Sequence, residues 1–125
     1  AMTHAGAQVA TRTVLMPALW AIRVSALDPS GRPKTGEKVA QDVAGPCCFA
    51  GDIVASQRML PLLEPEDWVL LHDTGAYYFS TPFVYNSLPR VAVHGFEIDG
   101  GAVRFSLLRR QECLTELVAA TGVRR

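Results

Sequence analysis

Gly45-Pro46-Cys47-Cys48-Phe49-Ala50-Gly51-Asp52 is the stretch on which the reading of this chain turns. Gly45 and Gly51 free the backbone near its two ends and Pro46 locks one φ, so it reads as a tight, rigid loop. Such a loop can aim a side chain, and this one holds two thiols. Asp52 is placed to tie the loop by hydrogen bonds rather than to act as an acid. Residues 38–44 before it alternate weakly through Val39 and Val43, and residues 53–58 after it form a second strand candidate.

Working outward toward the N-terminus, residues 21–27 alternate, with Ile22, Val24 and Ala26 on one face. Asp28-Pro29-Ser30-Gly31-Arg32-Pro33 is a turn cluster. Residues 13–20 fit one helical turn, with Pro17 near its start. Residues 1–12 are small and polar without a clear period. They read as a tag remnant (Ala1 before Met2) and a flexible tail, with the domain proper spanning 13–122.

Toward the C-terminus, Glu64-Pro65-Glu66-Asp67 is a surface turn and residues 68–72 are the strongest strand. Asp73-Thr74-Gly75-Ala76-Tyr77 makes a second loop, read as the other lip of one site. Residues 79–84 read as a short helix or loop on the core, and 85–90 as irregular. Asp99-Gly100-Gly101 is a hairpin signal joining strands 90–97 and 102–109. Leu114, Leu117 and Val118 recur at helical spacing, with Gly122 as the stop. Six strands, short helices and many turns give an all-β class: a six-stranded antiparallel barrel or sandwich with a C-terminal helix.

Composition narrows the function classes. The 125 residues suffice for one domain with a core, and 49 % are hydrophobic. Twelve basic residues balance twelve acidic ones, which argues against a nucleic-acid partner. No apolar run is long enough for a membrane helix, and no signal-peptide pattern is present. Three cysteines without metal-ligand spacing give neither a metal site nor a disulfide framework, so the expected setting is cytoplasmic.

The order of the motifs goes further. Met16-Pro17-Ala18-Leu19-Trp20, Gly45-Pro46-x-Cys48-x-x-Gly51-Asp52, Asp73-x-Gly75-Ala76-Tyr77-x-Phe79-Ser80 and Tyr85-Asn86-Ser87-x-Pro89-Arg90 follow one another along the chain. Together with Arg109-Arg110-Gln111-Glu112 near the end, this resembles the C-terminal β-domain of fold-type III pyridoxal-phosphate-dependent decarboxylases, with the diaminopimelate branch nearest. The resemblance runs over residues 13–118. It implies a Greek-key-like β-barrel that completes an active site with a (β/α)8 barrel, commonly across a dimer interface. That barrel carries the lysine that anchors pyridoxal phosphate. Cys48 matches the cysteine placed to protonate the carbon that loses its carboxylate, and Tyr77 the tyrosine that contacts the cofactor near its phosphate.

The chain also departs from the pattern. No barrel precedes Thr13, and Lys34 and Lys38 lie in or beside a solvated loop rather than in a cofactor-anchoring context. The strand expected before Met16 is missing, which points to an incomplete barrel with an open edge that favours pairing with another chain. The three substrate-reading positions of the diaminopimelate branch are Met16, Trp20 and Phe49 here. Apolar groups at these positions cannot compensate a buried charge, so a substrate with a distal ammonium or carboxylate is disfavoured. Two functions follow: the C-terminal domain of an amino-acid decarboxylase, inactive alone, or a non-catalytic interaction or dimerisation module derived from it. Cys47, Cys113, His72 and His94 read as structural, and Tyr78, Phe79, Phe83 and Tyr85 as core or interface.

Overall fold

The computed structural model describes residues 1–122. They form α1 (Ala7–Leu15), β1 (Val24–Leu27), β2 (Lys38–Ala44), β3 (Ile53–Pro61), β4 (Trp68–Leu71), a 3-10 turn at Tyr85–Ser87, β5 (Val93–Asp99), β6 (Ala102–Arg109) and α2 (Leu114–Ala120). The all-β class and the six strands are as the sequence predicts. The strands pair in three separate antiparallel ladders, β1 with β4, β2 with β3, and β5 with β6. Among the described residues no ladder closes on another, so "barrel" is loose wording for this arrangement.

Two compact units divide the chain, Ala1–Asn86 and the remainder from Ser87. In the first, β1 and β4 pair from Val24 against Leu71 to Leu27 against Trp68, enclosing the β2–β3 hairpin in sequence. The hairpin bulges at Asp42, whose Oδ1 accepts from the Gln57 N–H at 2.8 Å and the Ser56 hydroxyl at 2.8 Å. Gln57 sits at φ 48°, which lets the strand kink there. Ala10, Ile22, Val43, Val54, Ala55, Leu60 and Tyr78 form the core, with Val14, Val24, Leu63, Val69 and Leu71 packed on it.

Residues 1–12 are not the flexible tail the sequence suggests. Thr3 N–H donates to the Ala44 carbonyl and Ala44 N–H to the Ala1 carbonyl, both at 2.8 Å, so the N-terminus runs beside the end of β2. α1 follows and buries Ala7, Ala10, Thr11 and Thr13. These side chains are small, and Ala10 leaves helical geometry at φ −122° and ψ 42°, so size and period both hide the helix. α1 stops at Leu15, before Pro17, which has no N–H to continue it. The Leu19 and Trp20 N–H groups then donate to the Met16 carbonyl, forming the single turn expected over 13–20.

In the second unit β5 and β6 pair around Gly100 and Gly101, at φ 56° and 85°. Both glycines take the left-handed backbone that a tight hairpin needs. At the start of α2, the Glu116 carboxylate accepts from the Cys113 N–H at 2.8 Å. Arg110 binds the same carboxylate and holds it down to about 2. Cys113 is exposed, as is His94.

Candidate functional site

Asp52 organises the loop. It is 3 % exposed, and its two oxygens accept from different parts of the chain. Oδ1 takes the Ala7 N–H at 2.6 Å and Oδ2 the Cys47 N–H at 2.6 Å. One carboxylate thus caps α1 and braces the cysteine loop, consistent with the tying role expected of it. The approach is so close that a Cβ on Gly45 would lie 2.3 Å from the Gly6 Cα and 2.4 Å from Asp52 Oδ2. Only glycine fits there.

The two thiols face different surroundings. Cys47 is buried, 3.7 Å from Gln8 Oε1. Burial first, and then the Asp52 charge, push its thiol up, so it stays protonated. Cys48 is exposed, but its backbone is held. Its N–H donates to Asn86 Oδ1 at 2.7 Å, and its carbonyl accepts from the Tyr85 hydroxyl at 3.3 Å. Phe49 packs in an aromatic cluster, with ring centroids 5.1 Å from Tyr85 and 5.9 Å from Phe83. Phe83 and Tyr85 stack at 5.6 Å.

A second group forms at the end of α1. Arg12 lies over the Trp20 ring at 3.9 Å and over the Tyr77 ring at 4.4 Å. Tyr77 is exposed and holds φ 70°, a left-handed backbone that is unusual for a tyrosine. Its neighbour Tyr78 is buried, its hydroxyl 2.7 Å from that of Thr13. Met16 is exposed at the C-cap of α1.

Of the predicted residues, Trp20 and Tyr77 therefore meet at one cation, and Cys48 and Phe49 share one loop braced by Tyr85 and Asn86. No hydrogen bond, ion pair or ring contact among the described residues joins these two groups; Met16 meets the first through its backbone, its N–H donating to the Arg12 carbonyl and its carbonyl accepting from the Trp20 N–H. Arg12 went unnoticed in the sequence, where it lay in the supposed tail, and Asn86 stood in the Tyr85-Asn86-Ser87 motif without a role of its own. His72 is satisfied by the Ser25 hydroxyl at 2.8 Å, in keeping with a structural role. Asp73 is taken by Arg23 in a two-point ion pair at 2.8 and 2.9 Å. Lys34 is bound by Glu64 at 2.8 Å and by Asp67. These bonds, Asp67 first, raise its ammonium further above its usual range. A groove of about 650 Å³ elsewhere in this unit, bordered by His4, Glu66 and Trp68, contains none of the predicted site residues. No helix of the described residues is long and apolar enough to cross a membrane. Among these residues no group of three His, Cys, Asp or Glu side chains could hold a metal.

The family described as pyridoxal-dependent decarboxylase, C-terminal sheet domain, matches residues 1–75. Diaminopimelate decarboxylase of Streptomyces coelicolor is 35% identical over 104 residues, covering 78% of this chain and 23% of that protein. The Escherichia coli protein of the same name is 38% identical over 104 residues, covering 77% of this chain and 24% of its own. A crystal structure of diaminopimelate decarboxylase superposes with a TM-score of 0.80 at 31% identity, over 99% of this chain and 30% of that one. The chain thus spans about a quarter of the length of these curated relatives. It belongs to the family of C-terminal sheet domains of pyridoxal-dependent decarboxylases, on the side related to diaminopimelate decarboxylase.

Proposed function

We propose that this chain completes the active site of a pyridoxal-phosphate-dependent amino-acid decarboxylase, together with a (β/α)8 barrel, in the cytoplasm. The observation that carries the reading is the exposed Cys48 thiol on a backbone fixed by Asn86 and Tyr85, beside a loop braced by buried Asp52. A thiol held this way can deliver a proton at a chosen carbon, the role that family membership suggests. The bound cofactor supplies the electron sink for the charge left by the departing carboxylate. Tyr77 fits a place beside that cofactor, because its hydroxyl has no protein partner among the described residues and its ring is exposed. The chain's own lysines do not fit the anchoring role. Lys34 is an ion-paired ammonium and Lys38 is exposed at the start of β2, so the anchoring amine comes from the barrel.

Met16, Trp20 and Phe49 are the positions assigned to the substrate's far end; Met16 and Phe49 offer no partner for a distal ammonium, whereas Trp20 has the Arg12 cation beside it. Phe49 is committed to its aromatic cluster and acts as a wall. The β5–β6 hairpin exposes Phe96, Ile98, Val103, Phe105 and Leu107, a surface suited to cover by the barrel or by a second subunit. That same surface favours the second reading, a dimerisation module without chemistry.

A pull-down with the tagged chain from its native cell extract tests the choice. The expected result is a barrel-bearing partner carrying lysine-bound pyridoxal phosphate, an assembly that releases CO2 from an amino acid. Cys48→Ala should cut product formation or its stereochemical fidelity in that assembly. Unchanged rate and product would remove Cys48 from the chemistry, and self-association alone would favour the dimerisation module.

A further inference from the structure

Arg12 is half-buried, and none of the hydrogen bonds or ion pairs among the described residues involves its guanidinium. Two aromatic rings nonetheless lie against it, Trp20 at 3.9 Å and Tyr77 at 4.4 Å. A cation held against aromatic rings spends none of its N–H bonds on them, so its in-plane fork stays able to donate to an acceptor. The rings also displace water, so an acceptor at that edge meets a cation less well hydrated than one in open solvent.

The clamp is braced on each side. Thr11, one residue before Arg12, has one hydroxyl proton shared between the Ala7 carbonyl at 2.7 Å and the Thr81 carbonyl at 3.2 Å. Thr81 in turn donates its hydroxyl to the Tyr77 carbonyl. Thr13, one residue after, meets the Tyr78 hydroxyl at 2.7 Å. The loop carrying Tyr77 is therefore pinned to α1 on both flanks of Arg12. Trp20 is pinned as well: Met16 N–H donates to the Arg12 carbonyl at 3.0 Å, and Trp20 N–H to the Met16 carbonyl at 3.1 Å. Such bracing holds the guanidinium edge in one direction before any ligand arrives.

We propose that Arg12, held against Trp20 and Tyr77, is an oxyanion-binding residue that takes a carboxylate or a phosphate monoester through the edge of its guanidinium. Both anions match the planar fork with two parallel N–H···O bonds. The inference goes beyond the decarboxylase reading, because binding can be read in the chain itself without turnover.

The test is a nitrogen-15 NMR titration of the chain with inorganic phosphate and, separately, glutarate, at ionic strength held constant with sodium chloride. The Arg12 Nε–H and Trp20 indole signals should shift along a saturating curve, while the Trp68 indole, which donates to the Pro29 carbonyl, stays put. Saturation with phosphate alone assigns a phosphate monoester, and with glutarate alone a carboxylate; saturation with both assigns their shared chemistry. Arg12→Gln should abolish the response. Arg12→Lys, which keeps the charge but not the fork, should bind about tenfold more weakly. If the Gln variant does not fold, the wild-type and Lys curves decide. Linear shifts that never saturate, equal movement of Trp68, or a Lys variant that binds as tightly as wild type would each overturn the proposal.

Discussion

Replacing Asp52 by alanine isolates the contact that joins α1 to the cysteine loop. Two buried N–H donors, of Ala7 and Cys47, lose their acceptor at once. Each unsatisfied buried donor costs about 1–3 kcal/mol, so the pair costs on the order of 2–6. Loss of a negative charge at the start of α1 adds about 0.5 kcal/mol. A domain of this size is stable by about 5–15 kcal/mol, so a mid-range loss of about 4 consumes much of it. The melting temperature should fall by roughly 10–15 °C. Asp52→Asn keeps the shape and one acceptor oxygen but turns an amide NH2 toward the other donor, so it should recover only part of the loss. Urea unfolding at neutral pH gives the free energies, and hydrogen exchange at the Ala7 and Cys47 amides locates them. A loss below about 1 kcal/mol for the Ala variant, or an Asn variant as stable as wild type, would refute the bridging role.

Three further outcomes are expected. Iodoacetamide should label Cys48 and Cys113 in the native chain, with Cys47 slower by about tenfold or more until the chain unfolds; peptide mass mapping reads the order, and equal rates would contradict the buried, protonated Cys47 thiol. Hydrogen bonds from Lys34 hold Asp67 below the usual carboxylate range, and those from Ser30 and then the Arg32 N–H hold Asp28 down to about 2. Both folded values lie below the unfolded value of about 3.9, so the stability they contribute is complete above it and lost as pH falls toward 2. Lys34→Met should therefore lower the urea midpoint at pH 7 and flatten the acid-side loss; an unchanged acid slope would speak against the ion pair. Finally, pyridoxal phosphate followed by borohydride should leave no stoichiometric adduct on Lys34 or Lys38 in the isolated chain, and a single fully labelled lysine in the peptide map would contradict the need for an external one.

How far the sequence reveals this molecule depends on how local the signal is. β2 and β6 lie where alternation and turn residues put them, and Gly100 and Gly101 mark the hairpin because positive φ is a property of single residues. β3 runs three residues past its predicted end, because the bulge at Asp42 and the positive φ of Gln57 interrupt the alternation in mid-strand. The pairing of β1 with β4 is not legible, since it joins segments some forty residues apart that carry no complementary mark. α1 is hidden because alanine and threonine can be buried without a hydrophobic pattern. At the site, Cys48, Asp52 and Tyr77 stand in motifs and could be read. Arg12 could not, because its aromatic partners come from two other parts of the chain.

The hairpin of β5 and β6 shows what alternation does and does not encode. Register places Phe96 against Phe105 and Ile98 against Val103 on one face, and Glu97 against Arg104 on the other. That is the pattern of a half-buried sheet. Yet Phe96 is 65% exposed and Phe105 73%, although their rings lie 6.4 Å apart. Each such side chain contributes about 1.5–3 kcal/mol when buried, so this face leaves several times that amount unrealised. A two-stranded ladder with an uncovered apolar face is marginal in water. Alternation thus specifies which face is to be covered, not whether the covering group belongs to the same chain. On the proposed reading the cover is a barrel or a second subunit. The residues that look like core in the sequence and surface in the structure are then the same residues seen before and after assembly.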